Sequence, residues 1–127
     1  MKPIAHQEIP GEVWRPGVET RMLISARNGA TQLCVFEQWV APGAGAPTHH
    51  HPVEEVLTVC EGEAEIWIDA ERMTVSAGQS LIVPAGRYHG FRNSGTATLH
   101  VQAILAAPFF EAIPEGATEA TRRWQAP

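Results

Sequence analysis

Turn-forming residues recur along this chain at short intervals: Asn28-Gly29, Pro42-Gly43, Glu61-Gly62, Ala77-Gly78, Pro84-Ala85-Gly86 and Pro108. The runs between them are apolar and strand-forming. Ala64, Ile66 and Ile68 alternate with Glu63, Glu65, Trp67 and Asp69, a period of two that buries one face of a strand and leaves the other polar. Residues 20–27 and 32–41 read as strands joined by a tight turn at Asn28-Gly29. Residues 56–69, 73–75, 80–83, 88–92 and 98–107 continue the pattern. About nine short strands result, an all-β antiparallel sandwich or barrel. Residues 3–18 are a lead-in punctuated by Pro and Gly that carries His6 and Trp14, residues 115–125 are expected to form a short terminal helix, and no other helix is signalled.

The length of 127 residues suits one domain with its own core. No internal repeat, low-complexity tract or linker divides it, so residues 1–127 are expected to form a single domain. With 9 basic and 14 acidic residues the formal net charge is −5, and Arg122-Arg123 is the largest basic cluster. A nucleic-acid or anionic-membrane partner has no electrostatic footprint here. The N-terminal stretch is broken by Pro3 and Pro10 and has no continuous apolar run. It reads as neither a signal peptide nor a membrane anchor, which points to a cytoplasmic protein. Cys34 and Cys60 lie in apolar runs and are expected to be reduced core thiols.

Residues 43–62 read GAGAPTHHHPVEEVLTVCEG. On a strand, successive side chains point to opposite faces, so His49 and His51 face one way and His50 the other. Counting on by twos passes Val53 to Glu55, while Glu54 falls on the far face. The set is two imidazoles and a carboxylate, the beginning of a metal site. A second histidine context follows: Gly78 leads through five residues to Pro84, then Gly86, His89 and Asn93.

The two stretches, Gly43-x5-His49-x-His51-x3-Glu55-x6-Gly62 and Gly78-x5-Pro84-x-Gly86-x2-His89-x3-Asn93, resemble the two signature motifs of the cupin superfamily. The short spacer from Gly62 to Gly78 resembles that of its small single-domain members. The resemblance implies a double-stranded β-helix, or jelly-roll barrel, holding one divalent metal at its mouth, with His49, His51, Glu55 and His89 as ligands. Three neutral imidazoles and a carboxylate suit Fe, Mn, Ni, Co or Zn as divalent ions. On an octahedral ion, four such ligands leave two positions for water, substrate or dioxygen. Gly62 fits a hairpin turn of positive φ, Pro84 and Gly86 form the corner that returns His89 to the other ligands, and Asn93 reads as a turn residue.

The expected function is a metal-dependent enzyme acting on a small organic molecule, by dioxygenase-like or by isomerase-, lyase- or cyclase-like chemistry. The alternative is a non-catalytic metal- or ligand-binding module that acts as a sensor. Glu55 is the candidate proton acceptor, and Tyr88, Arg87, Gln38 and Gln102 are candidates to act on or orient substrate. Arg27, Arg87 and Arg92 are the inward cations the chain could offer at most, which disfavours highly charged sugar phosphates. His50 reads as a surface or interface residue, and His6 and His100 as structural. Trp14, Trp39, Phe91, Phe109 and Phe110 either line an apolar pocket or pack the core. Small cupins commonly pair, so a homodimer is expected, with Trp67 on the polar face of its strand as a candidate contact.

Overall fold

The computed structural model describes all 127 residues and folds them into two six-stranded antiparallel sheets. The strands are β1 (Glu12–Arg15), β2 (Val18–Ile24), β3 (Cys34–Val40), β4 (Gly45–His50), β5 (Glu55–Glu61) and β6 (Glu63–Ile68). They continue as β7 (Glu71–Ser76), β8 (Gln79–Val83), β9 (His89–Asn93), β10 (Leu99–Leu105), β11 (Phe110–Pro114) and β12 (Thr121–Arg123). One sheet runs β1-β2-β3-β10-β5-β8 and the other β12-β11-β4-β9-β6-β7. The expected jelly-roll class is what forms.

The alternation that marks strands in the sequence also builds the core. In β3 and β10 every second residue is buried. Phe36, Val40, Leu99, Val101, Ala103 and Leu105 meet Ala46, Ala64, Ile66 and Phe91 from the opposite sheet in one cluster of 20 buried residues. Each large apolar side chain so buried contributes roughly 1.5–3 kcal/mol. Away from the histidines, two buried amides are paired: Gln38 donates to Thr20 Oγ1 at 3.0 Å, and Asn93 donates to the carbonyls of Val40 and Ala97 at 2.9 and 2.8 Å. Asn93 also accepts from the Gly95 amide, the turn role expected of it.

Three local expectations are corrected. Asn28-Gly29 does not form a two-residue hairpin. Ser25 caps a 3₁₀ turn over Ala26–Asn28: its hydroxyl accepts from the Arg27 amide, while Asn28 accepts from the Ser25 amide. This reciprocal capping outcompetes the hairpin and lengthens the connection between β2 and β3. Residues 115–125 form no helix. Gly116, at φ 81°, turns the chain after Pro114, and β12 returns to pair with β11, Phe110 opposite Arg123 and Ala112 opposite Thr121. The lead-in is also structured, since β1 and the start of β2 lie within residues 3–18.

Cys34 is fully buried, whereas Cys60 lies half-buried on the outer side of β5; both are free thiols. Burial, reinforced by the charge of Glu55, pushes the Cys34 thiol up to about 12, so it is an inert core residue. Trp67 is less available than its position on a polar face suggested. It is half-buried, donates to Thr48 Oγ1 at 2.9 Å, and lies beneath the Arg72 guanidinium.

Candidate metal centre

His49 sits at the end of β4, His51 lies one residue past it, and His89 opens β9. His49 pairs directly with His89 across the two strands, next to a register shift between Ala46 and His49. A bulge of this kind re-aims side chains beside a site. Glu55 comes from the other sheet, as the first residue of β5. The unbroken count by twos from His51 to Glu55 is therefore not the route taken: the strand ends at His50, and residues 51–54 cross from one sheet to the other. A carboxylate still arrives opposite the imidazoles. Gly86 completes the corner by donating its amide to the His51 carbonyl at 2.8 Å.

One ligating nitrogen from each of His49, His51 and His89 lies within 4.8 Å of the others. Glu55 joins them, with Oε1 at 3.1 Å from His89 Nε2 and Oε2 at 3.5 Å from His51 Nε2. Ligands about 2.1 Å from an ion lie about 3.0 Å apart at a right angle and about 3.4 Å apart at a tetrahedral angle, and the two Glu55 separations, 3.1 and 3.5 Å, match those of neighbours around one cation.

Protonation decides what such a cluster can hold. The Nδ1 atoms of His49, His51 and His89 lie 2.7, 2.8 and 3.0 Å from the carbonyls of Pro47, Glu111 and Arg87. A carbonyl only accepts, so each Nδ1 donates to it and each ring turns its Nε2, the atom that can serve a metal, inward. Three Nε2 atoms and a carboxylate then face one another in a buried space, with Glu55 3% and His89 1% exposed, and His89 Nε2 lies within hydrogen-bond distance of Glu55 Oε1 at 3.1 Å. His51 Nε2 is buried with no hydrogen-bond partner. Acceptors gathered around an orphaned nitrogen require a cation or a proton between them. The donor set fits a divalent transition metal.

The charges agree. Burial, then the neighbouring His89 and His51, lower His49 to about 4. Burial also opposes a charge on His51, but the Glu55 carboxylate 3.5 Å away and the Glu111 carbonyl outweigh that and raise it above its ordinary value. Burial alone would raise Glu55, yet His51 and His89 hold it down at about 2. The site stabilises an ionised carboxylate.

The centre opens into a cavity of about 190 Å³. Its apolar wall includes Trp14, Phe36, Leu57, Phe91, Val101 and Phe110, with Gln38 as a polar group. His51 packs edge-on to Phe110 at 5.5 Å. Of the aromatic residues singled out in the sequence, Trp14, Phe91 and Phe110 line this cavity, whereas Trp39 stacks flat on His100 outside it and Phe109 is not in its wall. His100 is structural as expected, 3.1 Å from Glu37 Oε1.

Several orienting candidates are not brought to the centre. Tyr88 precedes the inward-facing His89 and so points outward; it is 42% exposed and stands edge-on to His50. Arg87 pairs with Asp69 at the surface, and Arg27 and Arg92 are exposed. Gln102 lies on the outer face of β10, opposite Glu37 and Thr58. Two cations that the sequence did not single out, Arg15 and Arg123, do line the cavity. They lie on β1 and β12, near opposite ends of the chain and outside both motifs, so no local pattern marked them.

A family model described as the cupin domain matches residues 36–105, over half of the chain. The chain is a cupin. Polyketide synthase CurC of Streptomyces cyaneus is 34% identical over 77 residues, 60% of this cupin and 47% of CurC. Protein SchB of Streptomyces halstedii is 31% identical over 93 residues, 72% of this chain and 67% of SchB. This cupin thus spans less than half the length of CurC and two thirds of SchB. Among solved structures, the polyketide cyclase RemF from Streptomyces resistomycificus superposes with a TM-score of 0.72 at 23% identity, covering 98% of this chain and 86% of RemF. That likeness is one of fold. No helix is long and apolar enough to cross a membrane.

Proposed function

We propose that this cupin is a metal-dependent enzyme acting on a small planar organic molecule, an enolic or phenolic compound of the polyketide type, by non-redox cyclisation or isomerisation. The convergence of three inward imidazoles and the Glu55 carboxylate at the floor of an aromatic-walled cavity carries this reading. CurC, described as a polyketide synthase, supports the substrate class.

His49, His51, Glu55 and His89 would hold one divalent ion, and Fe, Mn, Ni, Co and Zn are all compatible with that donor set. When bound, such an ion supplies Lewis-acid polarisation of a carbonyl or hydroxyl oxygen. Trp14, Phe36, Phe91 and Phe110 exclude water and stack against a planar substrate. The cavity, at about 190 Å³, suits one ring or a small fused pair. A carboxylate held at about 2 is a weak base, so Glu55 serves first as a ligand, and proton acceptance requires its release from His51 and His89. Tyr88 has no part in this scheme.

A second copy of the chain is the proposed macromolecular partner, and the cytoplasm the proposed setting. On the outer face of the first sheet, Val35, Ile104, Val56 and Ile82 lie opposite one another across four strands as a continuous apolar row. Ile82 is 63% exposed. A row of this kind is normally covered.

The reading is tested by supplying the metal-loaded protein with linear β-polyketone and enol substrates in an oxygen-electrode cell. Chelator-sensitive product formation without oxygen uptake is expected. Oxygen uptake in step with product would replace it with a dioxygenase. Ligand binding with no turnover would replace it with a sensor.

A further inference from the structure

The charge in the cavity wall is out of balance. Glu55 is the one carboxylate in that wall, and it is engaged by His51 and His89. Against it stand two guanidinium groups. Arg15 donates through Nη1 to the Gly45 carbonyl at 2.7 Å and forms no ion pair. Arg123 lies 4.2 Å over the Trp14 ring, with its nearest carboxylate oxygen, Glu12 Oε1, at 3.9 Å. The other oxygen of Glu12 accepts from Trp124 Nε1 at 2.9 Å. Arg123 Nε and Trp14 Nε1 are buried with no hydrogen-bond partner. A half-buried cation without a counter-charge, beside two unpaired donors, is costly unless something completes it.

The fold brings these groups here on purpose-built elements. Consecutive residues of a regular strand face opposite ways, yet Trp14 and Arg15 both line the cavity. The register between β1 and β2 shifts between Val13 and Arg15, a bulge that turns both side chains inward. From the other sheet, β12 contributes Arg123. Burial, and then the Arg123 charge, lower the pKa of Arg15, which places the two cations within each other's field.

We propose that Arg15 and Arg123 form an anion-recognition site in the cavity wall that selects planar substrates bearing a carboxylate. Two guanidinium forks suit a carboxylate, whose two oxygens accept paired N–H groups. The planar body of such a substrate would lie along Trp14 and Phe110. This inference rests on the proposed substrate-binding role of the cavity and narrows its substrate class. It also revises the sequence-based view that the inward cations are few: the cations exist, on residues other than Arg27, Arg87 and Arg92.

The test uses benzoate and its neutral isostere benzamide as probes, titrated calorimetrically into chelator-treated and metal-loaded protein. Wild-type protein in both states is expected to bind benzoate at least about tenfold more tightly than benzamide. Arg15→Met and Arg123→Met should each remove most of that preference and leave benzamide binding and metal content unchanged. Arg15 makes no aromatic stack, so Arg15→Met decides the matter even if Arg123→Met fails to fold. Equal binding of the two probes by wild type, or a preference that survives Arg15→Met, overturns the proposal. So does a preference seen only with metal bound, since the carboxylate would then sit on the ion. Metal content is read separately, so loss of the arginine site and loss of the metal centre give different results.

Discussion

Each imidazole of the centre is held by a backbone carbonyl behind it, so the histidines are fixed before any ligand arrives. His49 at about 4 is neutral and Glu55 at about 2 is ionised at neutral pH, whereas His51 is raised above its ordinary value. Below the His51 pKa, a metal entering the site must displace the extra proton on that ring. Apparent metal affinity should rise with pH by about tenfold per unit below the His51 pKa and level off above it. Calorimetric titration of Zn(II) in buffers of different ionisation enthalpy should show net proton release at pH 6.5 that declines as the pH rises. Glu55→Gln keeps the shape of the side chain but removes its charge. It should weaken metal binding by more than the roughly 10–100-fold that a change outside the ligand set costs, as measured by competition with a chromogenic chelator. The four residues of the proposed centre were legible in the sequence because two motifs carry them at short spacing. Arg15 and Arg123 were not, since only the closure of β1 and β12 around the mouth brings them together. Tyr88 was misread because its parity follows from His89, its neighbour, and not from its distance to the motif.

At the scale of elements, two features support the centre. Gly90 follows His89 in β9, and a Cβ there would lie 2.5 Å from Trp67 Cζ2 and 2.7 Å from the Ala46 carbonyl. Gly90→Ala should therefore displace β9 against β4, cost roughly 1–3 kcal/mol of stability, and reduce metal affinity through His89; urea unfolding and metal titration read the two effects. The second feature is the C-terminal return. Trp124 is buried among Trp14, Phe36 and Phe110, with centroids at 5.5, 5.3 and 6.0 Å. Trp124→Ala should cost about 3–5 kcal/mol and loosen the mouth, measured as a lower unfolding midpoint. Residues 115–125 invited a helical reading because Glu115, Ala117, Glu119, Ala120 and Arg122 are good helix formers. Gly116 and the pull of Trp124 into the aromatic cluster override that preference. The central strands were readable in advance because their alternation is what the core selects, whereas β1 and β12 are short and hold their place through tertiary contacts.

At the scale of the whole molecule, the two sheets share one core and leave a cavity whose floor carries His49, His51, Glu55 and His89 and whose wall is aromatic and arginine-bearing. The apolar row on the outer face of the first sheet bears on assembly. Light scattering after size exclusion should give a dimer for the wild-type chain, and Ile82→Asp together with Val56→Lys should shift it to a monomer with the metal centre intact. A wild-type monomer would remove the proposed partner without touching the site.

Metal stoichiometry of protein purified without chelator, determined by inductively coupled plasma mass spectrometry, tests the metal centre most directly. About one divalent transition ion per chain is expected in the wild type and essentially none after His49→Ala with His89→Ala. A chain equally empty in both forms, or equally loaded in both, would contradict it.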